Sequence, residues 1–441
     1  MRYDAVIIGG GPGGYECALW IHKLGGKAAV VEKSELGGVC TNRGCIPTKA
    51  LAASCEAVEA VRKAAQHGIE ANNVKTDVGK MLKRRDRVAL TLRKGIEKIL
   101  EETGVEIVKG DARVKSANEV EAGGMTLECE NIVLASGSKP TGLPGLELDG
   151  EYIISGDDAA TSNEFTEDIV VVGGGFIGCE YAAIYGKLGC NVTLVEALPR
   201  ILAAEDSEIS KELESILSKD VRIVKDVKVE SADRDSKTVK VGGEDIKADR
   251  ILLAVGRKPN IPEGVGELGV EVGEDGVKVN PRMETSVKGV YAVGDVTGGS
   301  YKLAHVAYAG AETAAKNIMG LDDEVDYDAV PWCVFTLPEI GRVGVTEDEA
   351  GSGCKVGRAD YISNGKARCM GERSGFCKVV VDGEGVIVGV HMIGAHASDL
   401  IGEASLAVKM KLKASDVAAT IHPHPTLTEI FKEACRKAVN Q

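Results

Sequence analysis

Apolar and polar positions in the first half of the chain follow one pattern that occurs twice. A β-branched apolar run, a glycine turn, an amphipathic stretch, the tripeptide KLG and a second apolar run ending in glutamate occupy residues 6–32 and again residues 170–196. These stretches, VIIGGGPGGYECALWIHKLGGKAAVVE and VVVGGGFIGCEYAAIYGKLGCNVTLVE, align without a gap and are identical at 12 of 27 positions. Each copy therefore predicts a strand, a helix and a second strand of a parallel sheet.

Both copies have the glycine spacing GxGxxG between the strand and the helix. The glycines are Gly9, Gly11 and Gly14 in the first copy and Gly173, Gly175 and Gly178 in the second. In such a turn the first glycine allows a tight bend, the second lets a pyrophosphate approach, and the third lets the helix pack on the strand. Glu32 and Glu196 each follow the third glycine by 18 residues, which suits a carboxylate that binds a ribose hydroxyl. The chain is predicted to bind two dinucleotides.

Other apolar runs extend this prediction to the whole chain. Residues 55–102 are helical and charged in pattern, and GVEIVKGDARV, MTLECENIVLASGS, ADRILLAVGRKPN and GVYAVGDVTGG contain predicted strands. From about Tyr327 onward, segments such as SGFCKVVVD and GVIVGVHMI predict an antiparallel sheet followed by helices. We predict an α/β chain with two doubly wound, Rossmann-like domains over 1–143 and 144–265, a central segment over 266–325 and an α+β domain over 326–441.

Three strand ends offer further candidate ligands. Gly137 and Gly256 follow the strands ending in VLAS and LLAV, where a glycine turn closes each strand. Asp295 ends the strand in GVYAVGD, where its carboxylate could accept hydrogen bonds from the hydroxyls of a ligand. A simple aspartate turn is the alternative interpretation of Asp295.

Charge and composition narrow the possible partners and the compartment. The formal net charge of −14 disfavours nucleic acid and anionic membranes, which need a cationic surface, and 4% aromatic residues provide few stacking platforms. Basic residues at 83, 84, 85 and 87 are interpreted as one face of a solvated helix. No apolar run approaches about 20 residues and no secretory signal pattern begins the chain, so the expected location is the cytoplasm.

Twelve cysteines are too sparse for a disulfide scaffold, but Cys40 and Cys45 stand close together in GGVCTNRGCIPTK. Zinc is disfavoured because no CxxC and no matching second pair exist, and a structural disulfide is disfavoured by a reducing compartment. Redox chemistry is the favoured interpretation. Residues five apart on a regular helix point about 140° away from each other, so we predict either a loop that enters a helix or a distorted first turn. Asn42, Gly44 and Pro47 would allow it. Lys49 then follows Cys45 by one helical turn.

Two dinucleotides beside a redox cysteine pair suggest how electrons would move. A nicotinamide delivers a hydride, whereas opening a disulfide requires two electrons at sulfur, and a flavin is the natural relay between them. We therefore expect FAD and a nicotinamide nucleotide. Glu196 suits the free 2′-hydroxyl of NAD, while Arg200 leaves NADP as an alternative.

GGVCTNRGCIPTK and the C-terminal HPHPTLTE together resemble motifs of the pyridine nucleotide-disulfide oxidoreductase family, and the similarity covers essentially all 441 residues in order. The resemblance implies that FAD occupies the first repeat, completed by residues 266–325, and NAD the second. It assigns Gly137, Asp295, Ala304 and Lys49 to the FAD site and Gly256 to the NAD site.

The resemblance also implies roles for the reactive side chains. Cys45 would be the sulfur nearest the flavin and Cys40 the thiol that exchanges with substrate. Lys49 would lie beside the flavin and pair with Glu180, although the repeat places Glu16 at the equivalent position and Glu180 could be a surface residue.

Near the C-terminus, the resemblance selects His424, over the neighbouring His422, as the base, with Glu429 orienting its ring. A capping box between Thr426 and Glu429 is a compatible structural interpretation. His422 and His305 are expected to serve packing or backbone roles.

The family places the histidine at the disulfide of the other subunit, so the resemblance implies a homodimer with shared active sites and an interface after about residue 326. The expected reaction oxidises a dithiol of the dihydrolipoamide type, free or protein-bound, with NAD through FAD. A reductase of another small disulfide and a non-catalytic FAD-binding subunit are the alternatives. Arg43, Phe176 and Leu337 depart from the usual pattern.

Overall fold

The computed structural model describes residues 2–299 and 301–440, and its first unit contains the first repeat. In chain order the elements are β1 (Arg2–Ile8), α1 (Pro12–Lys23), β2 (Ala28–Glu32), α2 (Gly38–Arg43), α3 (Cys45–Arg62), α4 (Val78–Glu102), β3 (Glu106–Lys109), β4 (Ala112–Ser116), β5 (Glu119–Ala122) and β6 (Met125–Leu134). The sheet order is β3-β2-β1-β6-β5-β4, with parallel pairing from β3 through β6. Because β1 and β2 are covered on both faces, they appear in the sequence as continuous apolar runs.

The second unit contains the second repeat and has the same central arrangement. Its elements are β7 (Ser138–Pro140), β8 (Ile153–Ser155), α5 (Gly156–Thr161), β9 (Asp168–Val172), α6 (Phe176–Lys187), β10 (Asn191–Val195), α7 (Ser207–Leu217), β11 (Val221–Val224), β12 (Val229–Asp233), β13 (Thr238–Val241), β14 (Glu244–Lys247), β15 (Arg250–Leu253) and β16 (Arg257–Pro259). A parallel sheet runs in the order β11-β10-β9-β15-β8, and β12, β13 and β14 form a separate antiparallel sheet. β7 and β16 pair as a short ribbon.

The chain then returns to the first sheet. β17 (Val290–Ala292) pairs in parallel with β6, and α8 (Ala304–Ile318) packs against α1. The central segment therefore contributes directly to the first nucleotide-binding unit. The domain boundaries near residues 143, 265 and 325 stay predictions, and each lies outside the helices and strands.

The last unit is built on an antiparallel sheet, as the alternating pattern predicts. Its elements are β18 (Trp332–Val334), β19 (Glu339–Gly344), α9 (Glu347–Ala350), β20 (Lys355–Asp360), α10 (Gly365–Met370), β21 (Phe376–Val381), β22 (Ile387–Gly394), α11 (Ala397–Lys409), α12 (Ala414–Ala419) and α13 (Glu429–Val439). The strand order is β18-β19-β22-β21-β20. Phe376 joins the core of the second unit, whereas its neighbour Cys377 packs with the helices of the last unit. The sheet is therefore buried on both faces.

The charged region over 55–102 is largely helical, as its pattern predicts, but it is divided between two helices. α3 ends at Arg62, and α4 begins at Val78 after Asp77 accepts a hydrogen bond from the Lys80 N–H at 3.0 Å. The cap at Asp77 starts a new helix there, which explains the interruption. Within the described part of the chain, neither α4 nor any other helix is long and apolar enough to cross a membrane.

The prediction of a solvated basic face on α4 is wrong for one residue. Arg85 is only 1% exposed, whereas Lys83, Arg84 and Arg87 are exposed. The Arg85 guanidinium donates a 2.7 Å hydrogen bond to the carbonyl of Ser162, just after α5, and contacts the Asp86 carboxylate at 2.7 Å. A buried guanidinium requires such partners. Arg85 therefore connects α4 of the first unit to α5 of the second.

Candidate active site

The two cysteines of the loop meet at a break between two helices. α2 ends at Arg43 and α3 begins at Cys45, and Gly44 between them has φ −142° and ψ −107°, far from helical values. The break allows the Cys40 thiol to donate a hydrogen bond to the Cys45 sulfur, and both residues are half-buried. The predicted distortion is confirmed, and it brings together two sulfurs that a continuous helix would hold apart.

The pair is electrostatically unequal. The hydrogen bond from Cys40 is the main cause that lowers the pKa of Cys45 to about 7; burial opposes this shift, and the positive charge of Lys49 supports it. The same hydrogen bond, together with burial, raises the pKa of Cys40. When the reduced pair loses its first proton, the thiolate therefore forms on Cys45 and the other proton stays on Cys40.

Lys49 of α3 forms an ion pair with Glu180 of α6. The Lys49 Nζ lies 3.0 and 2.9 Å from the two carboxylate oxygens, and Glu180 is 4% exposed. The Phe335 N–H donates to Glu180 at 2.9 Å, and the Phe335 ring lies 4.2 Å from Lys49 Nζ in a cation–π contact. Glu180 is therefore not a surface residue. Phe335 was not predicted from the sequence, because it contributes through a backbone N–H, which leaves no signal in side-chain chemistry.

The first glycine turn combines one close approach with one open position. A Cβ at Gly14 would lie 1.8 Å from the Gly9 carbonyl oxygen, so α1 can pack here only without a side chain. A Cβ at Gly11 would meet its nearest neighbour at 3.8 Å, which leaves space for a phosphate at the start of α1.

The Glu32 carboxylate is fixed by two backbone N–H groups at the end of β2. Gly10 and Ser34 donate to it at 2.7 and 2.6 Å. A cavity of about 460 Å³ adjoins this carboxylate, and Arg93 and Lys109 are among its lining residues. A carboxylate held in place beside such a cavity suits a ribose of a bound dinucleotide.

The second copy reproduces this geometry. A Cβ at Gly178 would lie 1.9 Å from the Gly173 carbonyl oxygen, whereas a Cβ at Gly175 would meet nothing within 4 Å. The Glu196 carboxylate accepts hydrogen bonds from the N–H groups of Gly174 at 2.6 Å and Leu198 at 2.8 Å. Both turns therefore have the open second glycine and the fixed acid that a dinucleotide needs.

Asp295 joins a polar chain that links the first unit to the second. The Ser138 hydroxyl donates to Asp295 at 2.6 Å and accepts from Arg257 Nε at 2.9 Å. Gly137 precedes this serine and has φ +69°, and Gly256 precedes Arg257 at the matching turn with φ +116°. Neither Ser138, expected only to close a strand with a turn, nor Arg257 was predicted as a site residue, although each directly follows a predicted glycine. Ala304 begins α8, as expected for a helix start beside the first nucleotide site.

His424 and Glu429 form the predicted histidine–carboxylate pair. His424 Nδ1 lies 2.9 Å from Glu429 Oε1, and the histidine side chain is 77% exposed in the single chain. The pKa of Glu429 is lowered, mainly by the Thr426 N–H and next by His424. Only this half of the proposed capping box forms, because the Thr426 hydroxyl donates to the Pro423 carbonyl instead.

The other two candidate histidines have structural partners. His422 is 5% exposed at its side chain and contacts the Glu403 carboxylate at 2.9 Å. His305 Nε2 lies 2.9 Å from the Pro331 carbonyl oxygen, and burial lowers the pKa of His305. His424 is thus the exposed histidine of the C-terminal motif. Across residues 2–299 and 301–440, no three His, Cys, Asp or Glu side chains gather as a metal site.

Two family matches divide the chain. The Pyridine nucleotide-disulphide oxidoreductase family matches residues 3–311, and the Pyridine nucleotide-disulphide oxidoreductase dimerisation domain matches residues 330–435. The chain belongs to the pyridine nucleotide-disulphide oxidoreductases. This assignment confirms the predicted fold class and the chemistry of an FAD- and NAD-dependent disulfide oxidoreductase, and the second match agrees with the predicted homodimer. The roles of individual residues stay predictions.

Named relatives of this oxidoreductase cover nearly its whole length. A dihydrolipoyl dehydrogenase of Bacillus subtilis (strain 168) is 38% identical over 99% of this chain and 98% of the relative. A dihydrolipoyl dehydrogenase of Thermus scotoductus is 40% identical over 98% and 96%, respectively. Among solved structures, LpdA of Mycobacterium tuberculosis has a TM-score of 0.90 at 27% identity over 99% of both chains. The HOCl-induced flavoprotein disulfide reductase RclA of Escherichia coli has a TM-score of 0.88 at 25% identity over 98% of this chain and 99% of that one.

Alanine substitutions at two glycines of the second turn should affect stability and NAD binding separately. Gly178→Ala places a methyl group against the Gly173 carbonyl and should lower the free energy of unfolding by roughly 1–3 kcal/mol. Gly175→Ala meets no protein atom within 4 Å and should keep the melting temperature while weakening NAD binding. Calorimetry and NAD titration measure the two effects. Equal losses of stability in both variants would contradict the assignment of Gly175 to the pyrophosphate.

Removal of the Lys49 charge should raise the pKa of Cys45 above about 7, because the ammonium stabilises the thiolate. In Lys49→Met the ultraviolet absorbance of the thiolate in reduced protein should appear at a pH about one unit higher. Lys63→Met is the matched control, since Lys63 pairs with Glu372 at 3.0 Å. A titration midpoint that is the same in Lys49→Met and the unaltered protein would refute this electrostatic coupling.

Proposed function

We propose that this protein is a dihydrolipoyl dehydrogenase that oxidises dihydrolipoamide, or a protein-bound dihydrolipoyl group, and reduces NAD through FAD. The observation that carries the proposal is the contact between Cys40 and Cys45 at the helix break, with Lys49 one turn along α3. The relatives named dihydrolipoyl dehydrogenase match nearly the whole chain, and they support dihydrolipoamide as the dithiol substrate.

The sulfur chemistry is a pair of thiol–disulfide exchanges. One substrate thiolate attacks Cys40 of the oxidised pair, and Cys45 leaves as the thiolate that Lys49 stabilises. The second substrate thiolate then attacks the substrate sulfur of the mixed disulfide and displaces Cys40. The substrate becomes a disulfide, the enzyme becomes a dithiol, and two electrons have moved to the cysteine pair. Attack at Cys40 is favoured because Cys45 is the better leaving group.

The substrate thiols must lose protons, and His424 suits this task. Its Nδ1 contacts the Glu429 carboxylate, which orients the ring for proton transfer. The side chain is exposed in the single chain, and it lies in the dimerisation domain. The partner subunit's His424 would therefore serve the cysteine pair of this chain, and each homodimer would contain two shared sites.

The bound cofactors would complete the electron path. The first glycine turn and Glu32 would hold FAD, which would supply two-electron chemistry between the reduced cysteine pair and NAD. The role of Lys49 and Glu180 is to hold the cysteine helix α3 against α6 of the second unit. Gly175 leaves room for the pyrophosphate of NAD, and Glu196 presents its carboxylate to the ribose.

NAD is favoured over NADP by the same turn. The Glu196 carboxylate would repel a 2′-phosphate, and the Arg200 guanidinium, the alternative phosphate ligand, donates to the Ala203 carbonyl at 2.8 Å. Arg200 would have to give up that hydrogen bond to bind NADP. We further propose a cytoplasmic location, where free thiols such as Cys369, which is exposed, stay reduced.

His424→Gln should retain FAD and its reduction by NADH but reduce dithiol turnover by about 10²- to 10⁴-fold, because the proton acceptor is lost. Stopped-flow absorbance separates the two half-reactions. His422→Gln is the control, since His422 is engaged by Glu403. Unimpaired dithiol turnover in His424→Gln would remove it as the base.

Hybrid dimers test whether the active site is shared. Cys40→Ser and His424→Gln are each expected to lack dithiol turnover as homodimers. A dimer with one subunit of each kind should recover one complete site, formed by the normal cysteine pair and the normal histidine of opposite subunits. Purified hybrids that stay inactive would contradict a site built across the dimer.

A comparison of substrates should identify the dithiol. Dihydrolipoamide with NAD is expected to give a kcat/KM at least about 100-fold above that of glutathione disulfide with NADPH, because dithiol geometry and Glu196 both favour the first pair. Steady-state absorbance of the nicotinamide measures both reactions. A preference for glutathione disulfide or another small disulfide would replace the proposed function with that reductase activity.

A further inference from the structure

A row of side chains crosses the C-terminal sheet from one edge to the other. The register pairs Trp332 with Arg342, Arg342 with His391, His391 with Lys378, and Lys378 with Arg358. These five residues therefore occupy one line over β18, β19, β22, β21 and β20. Because paired residues in a sheet point to the same face, the line places one aromatic ring and four basic side chains against the second unit.

Acidic residues of the second unit face this row at the beginning of α7. Arg342 Nε lies 3.0 Å from Glu205 Oε1, and Lys378 Nζ lies 3.0 Å from Asp206 Oδ2. Arg358 forms an ion pair with Glu208. Glu205, Asp206 and Lys378 are almost fully buried, so these contacts fix the sheet against the second unit in one position.

The aromatic end of the row reaches the second glycine turn. The Trp332 ring makes an edge contact with Phe176, with centroids 5.9 Å apart and an interplanar angle of 72°. The Arg342 guanidinium lies 5.0 Å from the Trp332 ring in a cation–π contact. Glu205, the ion-pair partner of Arg342, donates its N–H to the Leu202 carbonyl at 2.8 Å, and the Leu202 N–H donates to the Gly174 carbonyl at 2.7 Å. Trp332 and Glu205 are therefore both linked to the second glycine turn, Trp332 through Phe176 and Glu205 through Leu202.

Phe176 lies between Gly175, where the pyrophosphate of NAD would bind, and Glu180, which pairs with Lys49 near the cysteine pair. It directly follows the open Gly175, and it precedes Glu180 by four residues, so both side chains lie on one face of α6. Glu180 forms an ion pair with Lys49, which lies one helical turn after Cys45. The strand segment that carries Trp332 also supplies Phe335, which contacts Glu180. Two aromatic residues of one segment therefore contact two successive turns of α6.

We infer that Trp332 is a positioning residue for NAD: it holds the Phe176 ring in a fixed place and so keeps the nicotinamide side of the second nucleotide site formed before NAD binds. The inference rests on the proposed NAD site. A binding site that is already ordered loses less conformational freedom when its ligand binds. Trp332 does not need to touch NAD for this effect.

The kinetic test follows reduction of the bound flavin by NADH in the holoenzyme. Trp332→Leu should raise the NADH concentration for half-maximal reduction about 3- to 10-fold, the scale of one lost aromatic contact. Trp332→Phe should recover most of the affinity. Tyr327→Leu is the matched control, because Tyr327 stacks on Tyr301 in the same aromatic group and, within the described part of the chain, forms no ring pair with Phe176 or Trp332. Unchanged or tighter binding in Trp332→Leu, or an equal loss in Tyr327→Leu, would overturn the inference.

Fluorescence gives a second readout that does not depend on turnover. The chain has two tryptophans, so Trp20→Phe leaves Trp332 as the only indole. Titration of this holoenzyme with NAD should leave the emission maximum and the acrylamide quenching of Trp332 unchanged, because the Trp332–Phe176 contact is already formed before NAD binds. A shift of the emission maximum or a change in quenching that follows NAD binding measured by calorimetry would contradict the inference, even if Trp332→Leu failed to fold.

The two experiments also distinguish failure of this inference from failure of the proposed function. A protein that binds NAD and is reduced by NADH but does not oxidise dihydrolipoamide would refute the proposed substrate and leave the role of Trp332 intact. Normal dihydrolipoamide oxidation by the unaltered protein, together with an unchanged NADH response in Trp332→Leu, would refute the role of Trp332 and leave the proposed substrate intact.

Discussion

The arrangement of the whole site depends on the buried Glu180 carboxylate. A carboxylate removed from water needs charged or hydrogen-bonding partners, and Glu180 obtains them from two different parts of the chain. Lys49 reaches it from the helix that begins at Cys45, and the Phe335 N–H reaches it from the C-terminal unit. Glu180 itself lies on the helix of the second glycine turn. One side chain thus sets the position of the sulfurs relative to the second nucleotide site.

The duplicated unit explains why so much of the nucleotide chemistry could be predicted from the sequence. A glycine turn, the close helix packing at Gly14 or Gly178, and an acid at the end of the next strand are all determined within about 30 residues. The carboxylates of Glu32 and Glu196 are even held by equivalent N–H groups. The cysteine loop was predictable for the same local reason, since its spacing is incompatible with a regular helix.

Features that depend on distant parts of the chain could not be predicted in this way. Arg85 has the sequence environment of a surface residue, and its burial depends on a hydrogen bond to the carbonyl of Ser162, 77 positions away. Phe335 acts through its backbone and through a ring placed over Lys49, neither of which a motif reveals. The side chain of His424 was identified from its resemblance, yet its exposure becomes meaningful only when a second subunit is considered.

The helix break at Gly44 also has a thermodynamic consequence for the cysteine pair. Because α3 starts anew at Cys45, its sulfur lies at the positive end of an 18-residue helix, and its own N–H further lowers the pKa of the thiol. Stabilisation of the thiolate favours the reduced pair over the disulfide. Gly44 therefore makes the oxidised pair a stronger electron acceptor, in the direction needed to draw electrons from a dithiol.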